Sequence, residues 1–257
     1  MIRGLYTSAM GMIVQEKRQA NVSQNLSNVE TNSFKKQEII AKAFDRVGVK
    51  NRGNNLQGNR LTTIGEMHLG VEIDDLYNDF QQGILEETNN SLDLAIEGEG
   101  YFTIQLQNGD FAYTRDGSFK INENGQLATK QGYLVMGRNE YNGNLESIQL
   151  TSDEIQVGTR GIISLPDGQS HTLNIVSFVD AQALQRLGEN IYTMEGEQPL
   201  LGVEYSLRQG FVEKSNVNPL EEMVKMIEIT RSFESNQRVV QSMDETLGKA
   251  VNEVGKL

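Results

Sequence analysis

Asn218-Pro219-Leu220-Glu221 opens the stretch of sequence that decides how this chain folds. Asn caps a helix well, Pro suits the first helical position, and Glu three residues after the cap favours the start of a helix. Glu221 and Glu222 place negative charge at that end, while Lys249 and Lys256 sit near the other. Between them Met226, Ile229, Phe233, Asn236, Val240, Met243, Leu247, Ala250, Val254 and Leu257 recur at alternating steps of three and four. This is a heptad seam in which Asn236 is the polar member. At 1.5 Å per residue it predicts a helix roughly 55–60 Å long, far beyond an ordinary globular helix. Leu220, Met223, Val224 and Ile227 widen the apolar face upstream, which gives this half room for more than one partner.

The opposite end of the chain also reads as helix. Ile2, Leu5, Tyr6, Ala9, Met12 and Ile13 form a broad apolar stripe, continued thinly by Ala20, Leu26 and Val29. Asn28 to Phe34 ends it, because Asn and Ser compete with helical backbone bonding and favour turns. The middle alternates short apolar runs with turn signals. Leu92–Ile96, Tyr101–Leu106, Phe111–Thr114, Ser118–Ile121, Tyr133–Met136, Ser147–Leu150, Glu154–Val157, Gly161–Leu165 and Thr172–Val179 read as strands. Asn108-Gly109, Asp116-Gly117 and Asn124-Gly125 read as hairpin turns, and Pro166-Asp-Gly168 as a further turn. Residues 45–70 are rich in Asn and Gly and lack periodicity. The expected fold class is α+β: N- and C-terminal helices form a coiled-coil-like base, with a mainly antiparallel β domain inserted between them. The expected domains are residues 1–34 with 216–257 as a discontinuous helical assembly domain, 35–89 as an irregular connecting segment, and 90–215 as a β-rich domain.

Composition narrows the function classes. The 257 residues carry 23 basic and 35 acidic side chains, a net charge of −12, which repels nucleic-acid phosphates and anionic headgroups. Lys35, Lys36, Lys42, Arg46, Lys50, Arg52 and Arg60 form a loosely basic run without interleaved aromatics, read as a solvated segment. With no cysteine, disulfides, thiolate nucleophiles and thiolate metal sites are excluded. No apolar run reaches the ~20 residues that span a bilayer, and the N-terminus lacks the clean apolar centre of a cleavable signal. Nucleic acid and membrane insertion are therefore not expected.

The inventory for catalysis is thin. The only histidines are His68, read as half-buried and structural, and His171, read as an exposed loop residue. Glu97 and Glu99 alternate with glycines at a turn, and Glu72, Asp74, Asp75 and Asp79 form a loose acidic group. Asn122-Glu-Asn124-Gly125 has part of a calcium loop, but Lys120 and Gln131 stand where the first and last ligands belong. No phosphate loop with its Lys is present. No catalytic residues, metal site or cofactor are expected, and the chain is read as a non-enzyme.

Three blocks resemble the flagellar rod, hook and hook-filament family of bacterial axial proteins. The first is Arg3-Gly-Leu-Tyr-Thr-Ser-Ala-Met-Gly-Met12 with Asn25-Leu-Ser-Asn-Val-Glu-Thr-Asn-Ser-Phe-Lys35. The second is Asn89-Asn-Ser-Leu-Asp-Leu-Ala-Ile-Glu-Gly-Glu-Gly-Tyr-Phe102, then Tyr113-Thr-Arg-Asp-Gly-Ser-Phe119 and Asn124-Gly-Gln-Leu127. The third is Gln209-Gly-Phe-Val-Glu-Lys-Ser-Asn-Val-Asn218, continued by Glu222-Met-Val-Lys-Met-Ile227 and Phe233-Glu-Ser-Asn236. The central blocks resemble the rod proteins, and the Thr114–Phe119 block the distal rod protein, whereas Ser242–Val251 is closer to proximal relatives. Asn32-Ser33 replaces the family's Gly-containing turn before Phe34.

The resemblance implies a structural subunit of the periplasmic basal-body rod. It would leave by the flagellar type III export apparatus without a cleavable signal and polymerise helically through its terminal helices into a hollow drive shaft. Implied partners are further copies of itself, other axial rod and hook proteins, the export apparatus and ring proteins. The implied assembly positions are Leu5, Ala9, Met12, Ile13, Asn25, Leu26, Asn28, Phe34, Met226, Ile229, Phe233, Val240, Met243, Leu247 and Val254. The heptad also allows a second reading, a secreted, non-polymerising binding module held by a clasped terminal helix pair.

Overall fold

The computed structural model describes residues 2–52, 61–139, 143–150, 155–164, 170–188, 190–194, 199–200, 202 and 204–254. The fold is mainly antiparallel β, with one helix at each end of the chain. Helix α1 spans Ile2–Ser27 and α2 spans Pro219–Lys249. The α2 start follows its sequence signature: the Asn218 side chain accepts from the Leu220 N–H at 3.1 Å, with Pro219 at the first position. Its α geometry ends at Lys249, and Ala250–Val254 continue as a π-helical turn. The helix is thus shorter than the seam predicted, about 46 Å. The side chain of Val254 and all of Leu257 lie outside the described residues.

Two units make up the chain. The first comprises Met1–Ser27, Gln37–Tyr77 and Asn218–Leu257. Beside the helices it holds β1 (Gln37–Ala43), β2 (Val47–Arg52), β3 (Leu61–Met67) and β4 (Val71–Asn78). β1 pairs with β4 and β2 with β3, so each ribbon has two strands. Among the described residues of the stretch 35–89, expected to be irregular, most lie in strands. Its periodicity is faint because a two-stranded ribbon buries little of either face, as at exposed Val47 and Ile64.

The second unit comprises Asn28–Lys36 and Asn78–Val217. Its strands are β5 (Leu85–Glu87), β6 (Leu94–Gly98), β7 (Tyr101–Gln105), β8 (Phe111–Thr114), β9 (Phe119–Ile121), β10 (Leu127–Thr129), β11 (Leu134–Asn139) and β12 (Leu145–Ser147). They continue with β13 (Gln156–Val157), β14 (Ile162–Ser164), β15 (Ser170–Leu173), β16 (Ile175–Val176), β17 (Gln185–Gly188), β18 (Ile191–Thr193), β19 (Tyr205–Gln209) and β20 (Phe211–Glu213). The main ladder runs β13-β14-β15-β11-β7-β8-β18-β17. Strand β11 turns the corner: Leu134 and Val135 pair with β7, while Gly137 to Asn139 pair with β15. The sheet wraps round a core of Leu94, Ile96, Phe102, Ile104, Leu127, Val135, Ile148 and Ile163. Small separate ladders join β6 to β19 and β5 to β20.

Asn108-Gly109 and Asn124-Gly125 make the expected hairpins, β7–β8 and β9–β10. Asp116-Gly117 does not, since β8 pairs with β18 on its other side and β9 pairs with β10. Gly117 serves close approach instead: its carbonyl accepts the Leu94 N–H at 3.0 Å, and a Cβ there would fall 1.6 Å from the Leu94 oxygen. His171 is another departure. It lies buried in β15 opposite Ile163 rather than in an exposed loop. His68 is exposed rather than half-buried, with Nδ1 2.6 Å from the Phe44 carbonyl.

A second cluster packs Tyr101, Val176, Phe178, Leu184 and Tyr192 with Phe80. Burial pushes the Tyr192 phenol up to about 12 and raises Tyr101 further. Below pH 10 both phenols are neutral folded and unfolded, so their burial costs nothing electrostatic. Above it the unfolded chain ionises while the folded one resists. Stability should then fall with rising pH, by up to about 1.4 kcal/mol per unit for each tyrosine until its folded value is reached. Urea unfolding between pH 9 and 12 measures this slope. It should be smaller in Tyr192→Phe, and an equal slope in that variant would refute the assignment.

Candidate assembly interface

Within the first unit α1 and α2 run antiparallel in a fixed register. A Cβ on Gly4 would meet the Met243 methyl at 2.5 Å, one on Gly11 would meet the Asn236 amide at 3.1 Å, and Asn25 bonds Glu222. These contacts fall at multiples of seven residues on both helices. On α2 the covered positions are the predicted ones: Ile229 is buried and Met226, Phe233, Asn236, Val240, Met243 and Leu247 are half-buried, while most residues between are exposed.

The α1 side of the seam is different in kind. Its covered positions at heptad spacing are Gly4, Ser8, Gly11, Gln15, Arg18, Val22 and Asn25, mostly small or polar. Gly4 and Gly11 admit the tips of Met243 and Asn236, so the backbone of α1 comes close. The apolar stripe read from sequence lies elsewhere. Leu5, Ala9 and Met12 are half-buried flanking residues, and Ile13 is 47 % exposed. The face of α1 that meets α2 is marked in the sequence by the heptad spacing of Gly4, Ser8, Gly11 and Gln15.

The seam is pinned at the end where α1 stops. Asn25 is fully buried, and Leu26 beside it is half-buried. The Asn25 amide donates to the Gln37 carbonyl at 2.9 Å and to Glu222 Oε2 at 3.1 Å, and its oxygen accepts the Gln37 N–H at 3.1 Å. One side chain thus joins α1, the first residue of β1 and the first turn of α2. Lys225 follows, 2.7 Å from Glu38 and 3.4 Å from Glu222. Arg18, Asn21, Val22, Ile39, Glu228 and Ile229 help line a groove of about 220 Å³ here.

Asn28 and Phe34 fall in the second unit. The Asn28 carbonyl accepts the Thr31 N–H, closing the turn after α1, and Phe34 is fully buried under the Arg186 guanidinium. Ser33 between them has φ of 55°, so the left-handed turn persists without the family's Gly. Its N–H donates to the Glu213 carbonyl at 2.7 Å and its hydroxyl to the Arg115 carbonyl at 2.8 Å.

Lys35, expected to be solvated, is buried. Its ammonium lies 2.6 Å from Glu213 and donates to the Gln81 carbonyl, while Arg115 Nε meets the other Glu213 oxygen at 3.0 Å. Burial holds the Lys35 pKa below its usual value, against the pull of Glu213. This buried, hydrogen-bonded ion triad fastens the Asn28–Lys36 segment to β20.

Glu97 is engaged by Arg208 through two hydrogen bonds. Asn122 spends its side-chain oxygen on the Asn124 and Gln126 N–H groups. Among the described residues no three potential metal ligands gather, and no helix is long and apolar enough to cross a membrane.

Comparison with known proteins agrees with this architecture. Residues 208–253 match the family described as flagellar basal body rod FlgEFG protein C-terminal, and 95–165 match the flagellar hook protein FlgE/F/G D1 domain. The chain is similar to the flagellar basal-body rod protein FlgG of Borreliella burgdorferi, 36% identical over 98% of both chains. It is also similar to FlgG of Bacillus subtilis, 31% identical over 98% of this chain and 99% of that one. The chain belongs to the flagellar basal-body rod protein family. The flagellar hook-basal body complex protein FlhO of Bacillus subtilis is a further relative, 28% identical over the full length of both.

For this rod-family chain, two substitutions probe the pinned turn. Asn25→Ala strands the Gln37 backbone pair and Glu222, and should cost about 1–3 kcal/mol by urea unfolding. Asn25→Asp, which sets a second carboxylate against Glu222, should cost more; a milder effect than alanine would contradict the geometry. At Ser33, alanine keeps the left-handed backbone but loses the hydroxyl bond, a cost of about 1–3 kcal/mol. Ser33→Gly relieves the backbone and should fall between the native chain and Ser33→Ala in midpoint. Alanine outranking glycine would remove the case for strain.

Proposed function

We propose that the chain is a structural subunit of the distal flagellar rod. It polymerises helically through its terminal helices into the hollow axial shaft of the basal body. The observation that carries this is the antiparallel pairing of α1 with α2, joined to full-length similarity with FlgG proteins. The Thr114–Phe119 block supports the distal assignment. On this reading the α1–α2 pair is a coiled-coil-like base, the β-rich part is inserted in the sequence between its two strands, and the chain has no enzymatic activity.

The seam positions Met226, Ile229, Phe233, Val240, Met243 and Leu247 hold the base together, and Val254 continues them at heptad spacing in the sequence. Leu5, Ala9, Met12, Ile13, Asn25, Leu26, Asn28 and Phe34 shape and present the N-terminal half. Partners are other copies, neighbouring axial proteins, the type III export apparatus that delivers the chain, and the rings around the periplasmic rod.

Removing Met226–Leu257 deletes most of α2 but leaves every strand of the β-rich unit. Expressed in a flagellated strain lacking its own copy of the gene, the truncated chain should give no swimming, whereas the full chain restores it. Circular dichroism of the purified truncation should retain the β signal. Swimming restored by the truncated chain would refute assembly through the helices.

A further inference from the structure

The outer faces of the two helices, away from the seam, carry exposed apolar side chains. On α1 these are Tyr6, 58 % exposed, and Ile13, on either side of half-buried Met10, which lies against Gly70. On α2 they are Leu220, Met223, Val224 and Ile227, all about half exposed or more. At 100° per residue both groups sit on the side of their helix turned away from the seam. Each spans two helical turns, about 10 Å. The antiparallel register puts the α1 patch at the Met243 end of the pair and the α2 patch at the Asn25 end.

Charge distinguishes the two. Exposed Arg3 and Lys17 bracket the α1 patch, and exposed Glu221 and Glu228 accompany the α2 patch. At the margins Glu16 and Arg231 carry the reverse pair of signs. Like-with-like contact would set Glu221 and Glu228 against themselves, whereas unlike contact brings opposite signs together on both margins.

We propose that the α2 patch of one copy docks on the α1 patch of the next. This rests on the reading that the chain polymerises through its terminal helices, and it names the surfaces that meet. The joint is heterologous, because each copy uses a different patch towards each neighbour. Every addition leaves one patch of each kind free, so assembly continues as an open helical stack rather than closing as a two-fold dimer. The two patches at opposite ends of the pair give that stack a direction.

The native chain has no cysteine, which permits a clean test. Ile13→Cys and Val224→Cys are placed singly and together in the full chain, produced in a flagellated strain lacking its own copy. Isolated basal bodies are then oxidised, or bridged with a flexible bis-maleimide, and run on non-reducing gels. The double variant should give a ladder of dimers, trimers and longer species. The two single variants expressed together should stop at dimers, and each alone should stay monomeric. Dimers from either single variant alone, or no ladder from the double one, would overturn the pairing while leaving the rod assignment standing. Absence of the unsubstituted chain from basal bodies would overturn the rod assignment, and the pairing with it.

Discussion

The pairing of the first helix with the last is the interaction on which the first unit depends. Gly4 against Met243 and Asn25 against Glu222 bring together residues separated by nearly the whole sequence. The entropy of closing such a loop grows only slowly with its length, so a long insertion between the helices adds little further cost. Neither helix gains its seam contacts without the other, so the pairing couples the two ends of the chain.

Polar groups, rather than bulk hydrophobicity, fix the register. Asn25 satisfies the backbone of Gln37 with both ends of its amide, and a shift by one residue would bury that amide without partners. The triad of Lys35, Glu213 and Arg115 acts in the second unit in the same way. Desolvating three charges offsets most of their attraction, so the triad adds little net stability. Its effect is to exclude alternatives, because any other placement of the Asn28–Lys36 segment takes Lys35 from Glu213 and leaves that buried carboxylate short of a partner.

Much of the fold could be read from the sequence. The α2 cap at Asn218, the seam from Met226 to Leu247 and the hairpins at Asn108 and Asn124 all rest on local rules. The hidden parts rest on distant partners. Asp116-Gly117 has the composition of a hairpin turn, yet Gly117 is there because Leu94 lies against it. Lys35 reads as a solvent residue until Glu213, far along the chain, is placed beside it.

The candidate interface divides in the same way. Sequence alone determined that both ends are helical and that α2 carries a heptad seam, because helix caps and periodicity are local properties of the chain. It also determined that cysteine chemistry is absent. Only the tertiary structure decided which face of α1 meets that seam. The answer is Gly4, Ser8, Gly11 and Gln15 rather than the apolar stripe, since small residues let two backbones approach and leave the larger side chains facing outward. An apolar residue shows in the sequence wherever it points; whether it points inward or outward depends on a partner more than two hundred residues away.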